Sequence, residues 1–127
     1  MPFLFFKKKV SVSTFLRSVS DYLIIQICLG LEQVGFFEHL KKGPATLADI
    51  SRALRVRQDL LAIILDYLVA IGGPLKKQGG TFVLKDGSPQ KLLWAILAYR
   101  EVFNDFGALL SGEKKYGQEV KRDGYYL

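Results

Sequence analysis

Cysteine and histidine each occur once in these 127 residues, as Cys28 and His39, and that scarcity excludes a good deal of chemistry. A single cysteine rules out an internal disulfide framework, and a reducing, cytoplasmic setting is the simpler expectation. One cysteine and one histidine cannot build a typical structural zinc site within one chain. Nucleotide loops are missing too: neither GxGxxG nor GxxxxGK[ST] occurs. The paired glycines of IGGP and QGGT fall at a helix end and at a hairpin turn, where backbone geometry accounts for them. Long apolar runs are also lacking. The greasiest stretch, YLIIQICLGL, is about ten residues and holds Gln26, against the ~20 that a spanning helix needs, so no transmembrane segment is expected. The start, MPFLFFKKK, sets its apolar run before its positive charges, the reverse of a secretory signal. It is expected to tuck against the domain.

What the chain does have is apolar mass. Half of it is hydrophobic and 13% is aromatic, enough for the core of one domain. The net charge of +6 speaks to association rather than to fold.

Hydrophobic spacing predicts mainly helix. A first helical region starts near Thr14 and runs to about Lys41, with a break near Ser20, because Ile24, Ile27, Cys28, Leu31 and Val34 recur at helical spacing. Leu23, Ile25 and Leu29 add apolar surface on its other side, and a helix apolar nearly all round calls for a partner surface. Lys41-Lys42-Gly43-Pro44 ends it. The phrase TLAD reads as a capping box that opens a second helix at Thr46, with Leu47, Ile50 and Leu54 inward. A third helix spans about Gln58 to Ile71 and is stopped by Gly72-Gly73-Pro74. Leu75 to Gln78 and Thr81 to Leu84 form a hairpin turned at Gly79-Gly80. Ser88 and Pro89 launch a long helix to about Leu110, with Leu93, Ile96, Leu97, Phe103 and Leu110 in its buried stripe. The order describes a mainly α winged helix-turn-helix, with a small β-hairpin wing and a long C-terminal helix. The expected division is an N-terminal segment 1–13, the winged-helix domain 14–112, and a linker or start of a further domain at 113–127.

No catalytic constellation emerges. His39 suits the dipole at a helix end, and Cys28 lies mid-stripe as a core residue. Asp66, Glu101 and Asp105 stand alone along helices, as on a solvated face. For nucleic acid, Arg55, Arg57, Lys76 and Lys77 can hold phosphates. The third helix, which would read bases, carries no Lys or Arg, and its charges are Asp59 and Asp66. A winged-helix DNA-binding regulator is therefore the alternative reading, with nucleic acid an unfavoured partner. The third helix is apolar on two sides: Leu61, Ile64, Leu65 and Leu68 on one, Leu60, Ile63, Tyr67 and Ile71 on the other. Either further protein covers the second side, or the other helices of this domain do.

These phrases, taken in order, resemble the N-terminal domain of S-adenosylmethionine-dependent O-methyltransferases. Gly35-Phe36-Phe37 and Leu40 match that family's "GLFDxL" phrase. Gly43-Pro44, Thr46, Asp49-Ile50, Ala53 and Leu54 match its "GPxTxxELAxxL" helix. Leu61, Ile64-Leu65-Asp66, Leu68-Val69 and Gly72 match "LxRLLDxLVxxG", and Phe82 and Leu84 match the wing. The likeness covers roughly residues 22 to 112. Gly72-Gly73-Pro74 stands where the family has an apolar pair, and MPFLFFKKK is not a family phrase. The resemblance implies a non-catalytic, homodimerising domain whose enzymatic partner domain, with its S-adenosylmethionine site, lies elsewhere. This chain is expected to bind no cofactor or metal itself and to hold no catalytic residue. A truncated product, an expressed fragment and a stand-alone dimerisation protein all fit. The expected dimer contacts are Leu23, Ile24, Ile27, Cys28 and Leu31 on the first helix, with Trp94 and Tyr99 on the long one.

Overall fold

The computed structural model describes residues 12–126, so the MPFLFFKKK segment lies outside the described residues. The chain is mainly helical with one two-stranded antiparallel sheet. Helix α1 spans Val12–Gln33. By length and composition alone it is long and apolar enough to cross a membrane, more than the short run YLIIQICLGL suggests. It does not break near Ser20. The nearby Ser18 hydroxyl donates to the Thr14 carbonyl at 3.2 Å, so a hydroxyl sits in the helix without opening it. The break comes at Gly35, whose left-handed backbone (φ 86°) ends α1 and starts the short α2, Phe36–Leu40.

Helix α3, Leu47–Leu54, is capped as expected: Thr46 Oγ1 accepts from the Asp49 N–H at 3.2 Å. Helix α4, Gln58–Ala70, ends in a Schellman motif. The Gly73 N–H donates to the Leu68 carbonyl at 2.8 Å and the Gly72 N–H to the Val69 carbonyl at 3.2 Å. Both glycines are required there. Gly72 has φ 73°, and a Cβ on Gly73 would stand 3.0 Å from the Leu68 oxygen. Strands β1, Leu75–Gln78, and β2, Thr81–Leu84, pair from Leu75 with Leu84 to Gln78 with Thr81. Phe82 also exchanges backbone hydrogen bonds with Ala45, tying the segment before α3 to the hairpin.

The expected single long helix is corrected to three short ones: α5, Gln90–Ala98; α6, Arg100–Asn104; and α7, Phe106–Ser111. The joints are Tyr99 (φ −108°, ψ 9°) and Asp105 (φ −104°, ψ 19°). At the first joint the Ala98 carbonyl accepts from the Asp123 N–H at 2.6 Å, so a distant backbone group holds the end of α5. At the second, Lys114 Nζ meets Asp105 Oδ1 at 3.2 Å. The bends leave Phe103 and Leu110, expected inward, exposed. Residues 113–126, from the stretch expected as a linker or the start of a further domain, fold back on α5 and end in a 3-10 turn, Gly124–Tyr126. Val120 is fully buried in that tail.

The core gathers Cys28, Leu29 and Leu31 of α1, Phe36, Phe37 and Leu40 of α2, and Ile50 of α3. Leu61, Leu65 and Leu68 of α4, Leu75 and Phe82 of the hairpin, and Leu93 and Leu97 of α5 complete it. Phe36 and Phe37 meet edge to face, with centroids 5.2 Å apart.

Candidate functional site

Chemically reactive side chains are sequestered or isolated. Cys28 is buried, and desolvation pushes its thiol up, away from thiolate. Among the described residues no cluster of His, Cys, Asp or Glu is arranged to hold a metal ion. One polar network escaped notice in the sequence. Buried Gln90 at the start of α5 donates from Nε2 to Glu32 Oε1 of α1 (3.1 Å) and to Glu38 Oε2 of α2 (3.2 Å). The Gln90 hydrogen bond, then Lys41, hold the Glu38 carboxyl below its ordinary range. The network joins three helices and is structural. No local pattern announces it, because its members lie 52 and 58 residues apart.

The conspicuous surface is apolar. On the first half of α1, Val12, Phe15, Leu16, Val19, Tyr22 and Leu23 are all exposed. Their spacing places them on one stripe of the helix. On α4, Leu61, Leu65 and Leu68 are buried, while Leu60, Ile63, Tyr67 and Ile71 on the second side are exposed by 50, 68, 42 and 40%. Within the described residues, no other helix of this domain covers that side. A groove of about 280 Å³ joins the helices, lined by Ile27 and Gly30 of α1 and Val34 in the turn after it, with Leu60 and Ile64 of α4. A second, almost wholly apolar, of about 490 Å³, runs between α1 and α5 past Ile24, Cys28, Pro89 and Leu92.

The expected contact residues divide. Leu23 and Trp94 are exposed, Ile24, Ile27 and Tyr99 are half-buried, and Cys28 and Leu31 belong to the chain's own core. Tyr99 is engaged by the tail, where its hydroxyl oxygen accepts from the Arg122 guanidinium and favours its charged form. Of the four basic residues considered for phosphate, Arg57 is committed to Asp59 through bonds of 2.7 and 3.2 Å. Arg55 adopts the left-handed conformation that ends α3 (φ 57°). Lys76 and Lys77 are exposed on β1, with Lys77 Nζ 5.3 Å from the centre of the Phe82 ring.

No family model matches the chain, and no curated protein matches it. Its fold is similar to solved structures. One is the S-adenosylmethionine-dependent methyltransferase SibL in its apo form, with TM-score 0.53 and 22% identity over 80% of this chain and 34% of that one. Another is CalO1, a methyltransferase in calicheamicin biosynthesis in its SAH-bound form, with TM-score 0.55 and 21% identity over 84% of this chain and 35% of that one. The chain thus spans about a third of the length of either protein.

Proposed function

We propose that this chain is a non-catalytic winged-helix domain that forms a homodimer, of the kind carried by S-adenosylmethionine-dependent, O-methyltransferase-like enzymes. The observation that carries the proposal is the apolar stripe from Val12 to Leu23 on α1, which is exposed among the described residues. Such a stripe needs a cover, and a second copy supplies an identical one at equal concentration. The exposed side of α4 and the groove beside it extend the surface that a partner would bury. The fold likeness to SibL and CalO1 supports the methyltransferase context, and S-adenosylmethionine then belongs to the two-thirds of such enzymes that this chain does not span.

In this reading α1 lies against protein rather than in lipid. Its last turns are locked into the core through Cys28, Leu29 and Leu31, and its first half carries Arg17 and Asp21. DNA binding has less support. The outward side of α4 is apolar, and Arg57 is already neutralised by Asp59. Sedimentation equilibrium tests the dimer: association is expected at ~10 micromolar, corresponding to about −7 kcal/mol. A well-folded monomer at ten times that concentration overturns it.

A further inference from the structure

We propose that the hollow where α1, α2, α5 and the tail meet binds a small methylated ammonium ion, with Trp94 as its aromatic wall and the carboxylates of Glu32 and Glu38 as its counter-charge. The hollow has a volume of about 350 Å³, within the ~300–1,000 Å³ usual for small-molecule sites. Glu32, Glu38 and Gln90 supply its polar lining, and Trp94, Leu97 and Tyr125 its aromatic and apolar lining. Trp94, expected from the sequence at a dimer contact, is exposed by 36% here. Glu32 lies nine residues beyond Leu23 on α1, about 14 Å of helix rise, so the hollow is clear of the stripe proposed for the dimer.

The two carboxylates are held together and incompletely neutralised. Gln90 Nε2 donates to one oxygen of each, at 3.1 and 3.2 Å, and an amide carries no net charge. Lys41 reaches Glu38 at 3.4 Å, but both side chains are exposed, where an ion pair is weak. Glu32 takes part in none of the ion pairs among the described residues. Its second oxygen, Oε2, is buried without a hydrogen-bond partner. Like charges gathered in a partly desolvated place favour a cation beside them. The rest of the lining selects which kind. A hard metal ion wants several open oxygens, and Gln90 already occupies one on each carboxylate. A bare ammonium wants acceptors for three N–H groups. A methylated ammonium wants none, because its charge is spread over methyl groups that rest against a ring face, and the face of Trp is the strongest of these.

The site does not depend on the chain being a dimer or a methyltransferase piece. Trp94 is the chain's single tryptophan, so its fluorescence reports on the hollow directly. The test titrates the full chain with choline, and with dimethylbutanol as its uncharged carbon isostere, at ionic strength held constant with sodium chloride. The chain is kept at about 1 micromolar, below the ~10 micromolar at which association is expected. A saturable change with choline is expected, with the isostere weaker by at least about threefold, the size of a cation's attraction to a partly exposed ring. Glu32→Gln keeps an oxygen for Gln90 and removes the charge, and is expected to erase that preference. Glu113→Gln, which removes an exposed carboxylate outside the hollow, is expected to leave it intact. Should circular dichroism show Glu32→Gln unfolded, Glu38→Gln is expected to reduce the preference. NMR contacts from the choline methyls in the wild type must then fall on the Trp94 indole. No saturation, equal binding of the two probes, an unchanged preference in a folded Glu32 or Glu38 variant, or methyl contacts elsewhere overturns the site. Sedimentation of the same samples reports dimerisation separately.

Discussion

Both halves of α1 carry large apolar side chains, and they live in opposite environments. Between Val12 and Leu23 the large side chains face outward, with Phe15 exposed by 68%. Five residues beyond Ile24, Leu29 is exposed by 1%. The second half is also the more apolar, but composition does not by itself bury a side chain. The second half meets α2, cradled by Phe36 and Phe37, and is fastened to α5 by Gln90 through Glu32. The first half extends beyond those elements. An apolar residue is buried only where other elements reach it, and what a chain leaves exposed at such positions is a measure of what it expects from outside.

The comparison is sharpest if core and outer stripe respond differently to mutation. Leu29→Ala should cost about 2–5 kcal/mol of unfolding free energy, the usual loss for a buried leucine, measured by urea titration at any protein concentration. Leu16→Asp should leave the helical circular dichroism of the monomer intact but weaken self-association by ~2–4 kcal/mol, about 30- to 1,000-fold in Kd. Equal loss of fold in both variants would show that the outer stripe is core after all. Gly35→Ala probes the joint that aims α2 under the second half. Its added Cβ meets only Leu54 Cδ2 at 3.8 Å, so the cost should be the left-handed backbone strain alone, about 1–2 kcal/mol, seen as a lower urea midpoint.

The smallest effect expected is on acidification. Glu38 is held below its ordinary range by Gln90 and Lys41. Its contribution is therefore complete above the usual carboxylate range and is lost as pH falls through the lowered value. Thermal stability should be insensitive to this group from pH 7 to ~5 and decline below ~4. Glu38→Gln should flatten that part of the profile. A loss on raising the pH instead would contradict the network's sign.

Much of the middle of the chain was legible. The Thr46 cap, the sides of α4 and the strand limits around Gly79-Gly80 follow from neighbours within a few residues, and the structure places them as expected. The long helix after Pro89 was misread at Tyr99 and Asp105. Nothing within a turn of Tyr99 forbids helix; the Asp123 N–H arrives from 25 residues away to hold the Ala98 carbonyl. The outer stripe was only partly legible. Of the residues expected at a dimer contact, Leu23 is exposed on this stripe and Trp94 is exposed on α5, while Cys28 and Leu31 lie in the core; Phe15, Leu16 and Val19 of the stripe were not among them. Spacing alone tells which residues share a side, not which side is covered.

By itself, then, the order of residues determined the caps, the glycine stops, the hairpin and the absence of metal-site or nucleotide-loop motifs. Those depend on local backbone geometry and on which side chains exist at all. The tertiary structure alone decided where the last helix breaks and which half of α1 is core. It also set Gln90 between two carboxylates. Each of these depends on groups brought together from distant parts of the chain, and burial and ion pairing respond to what is near in space.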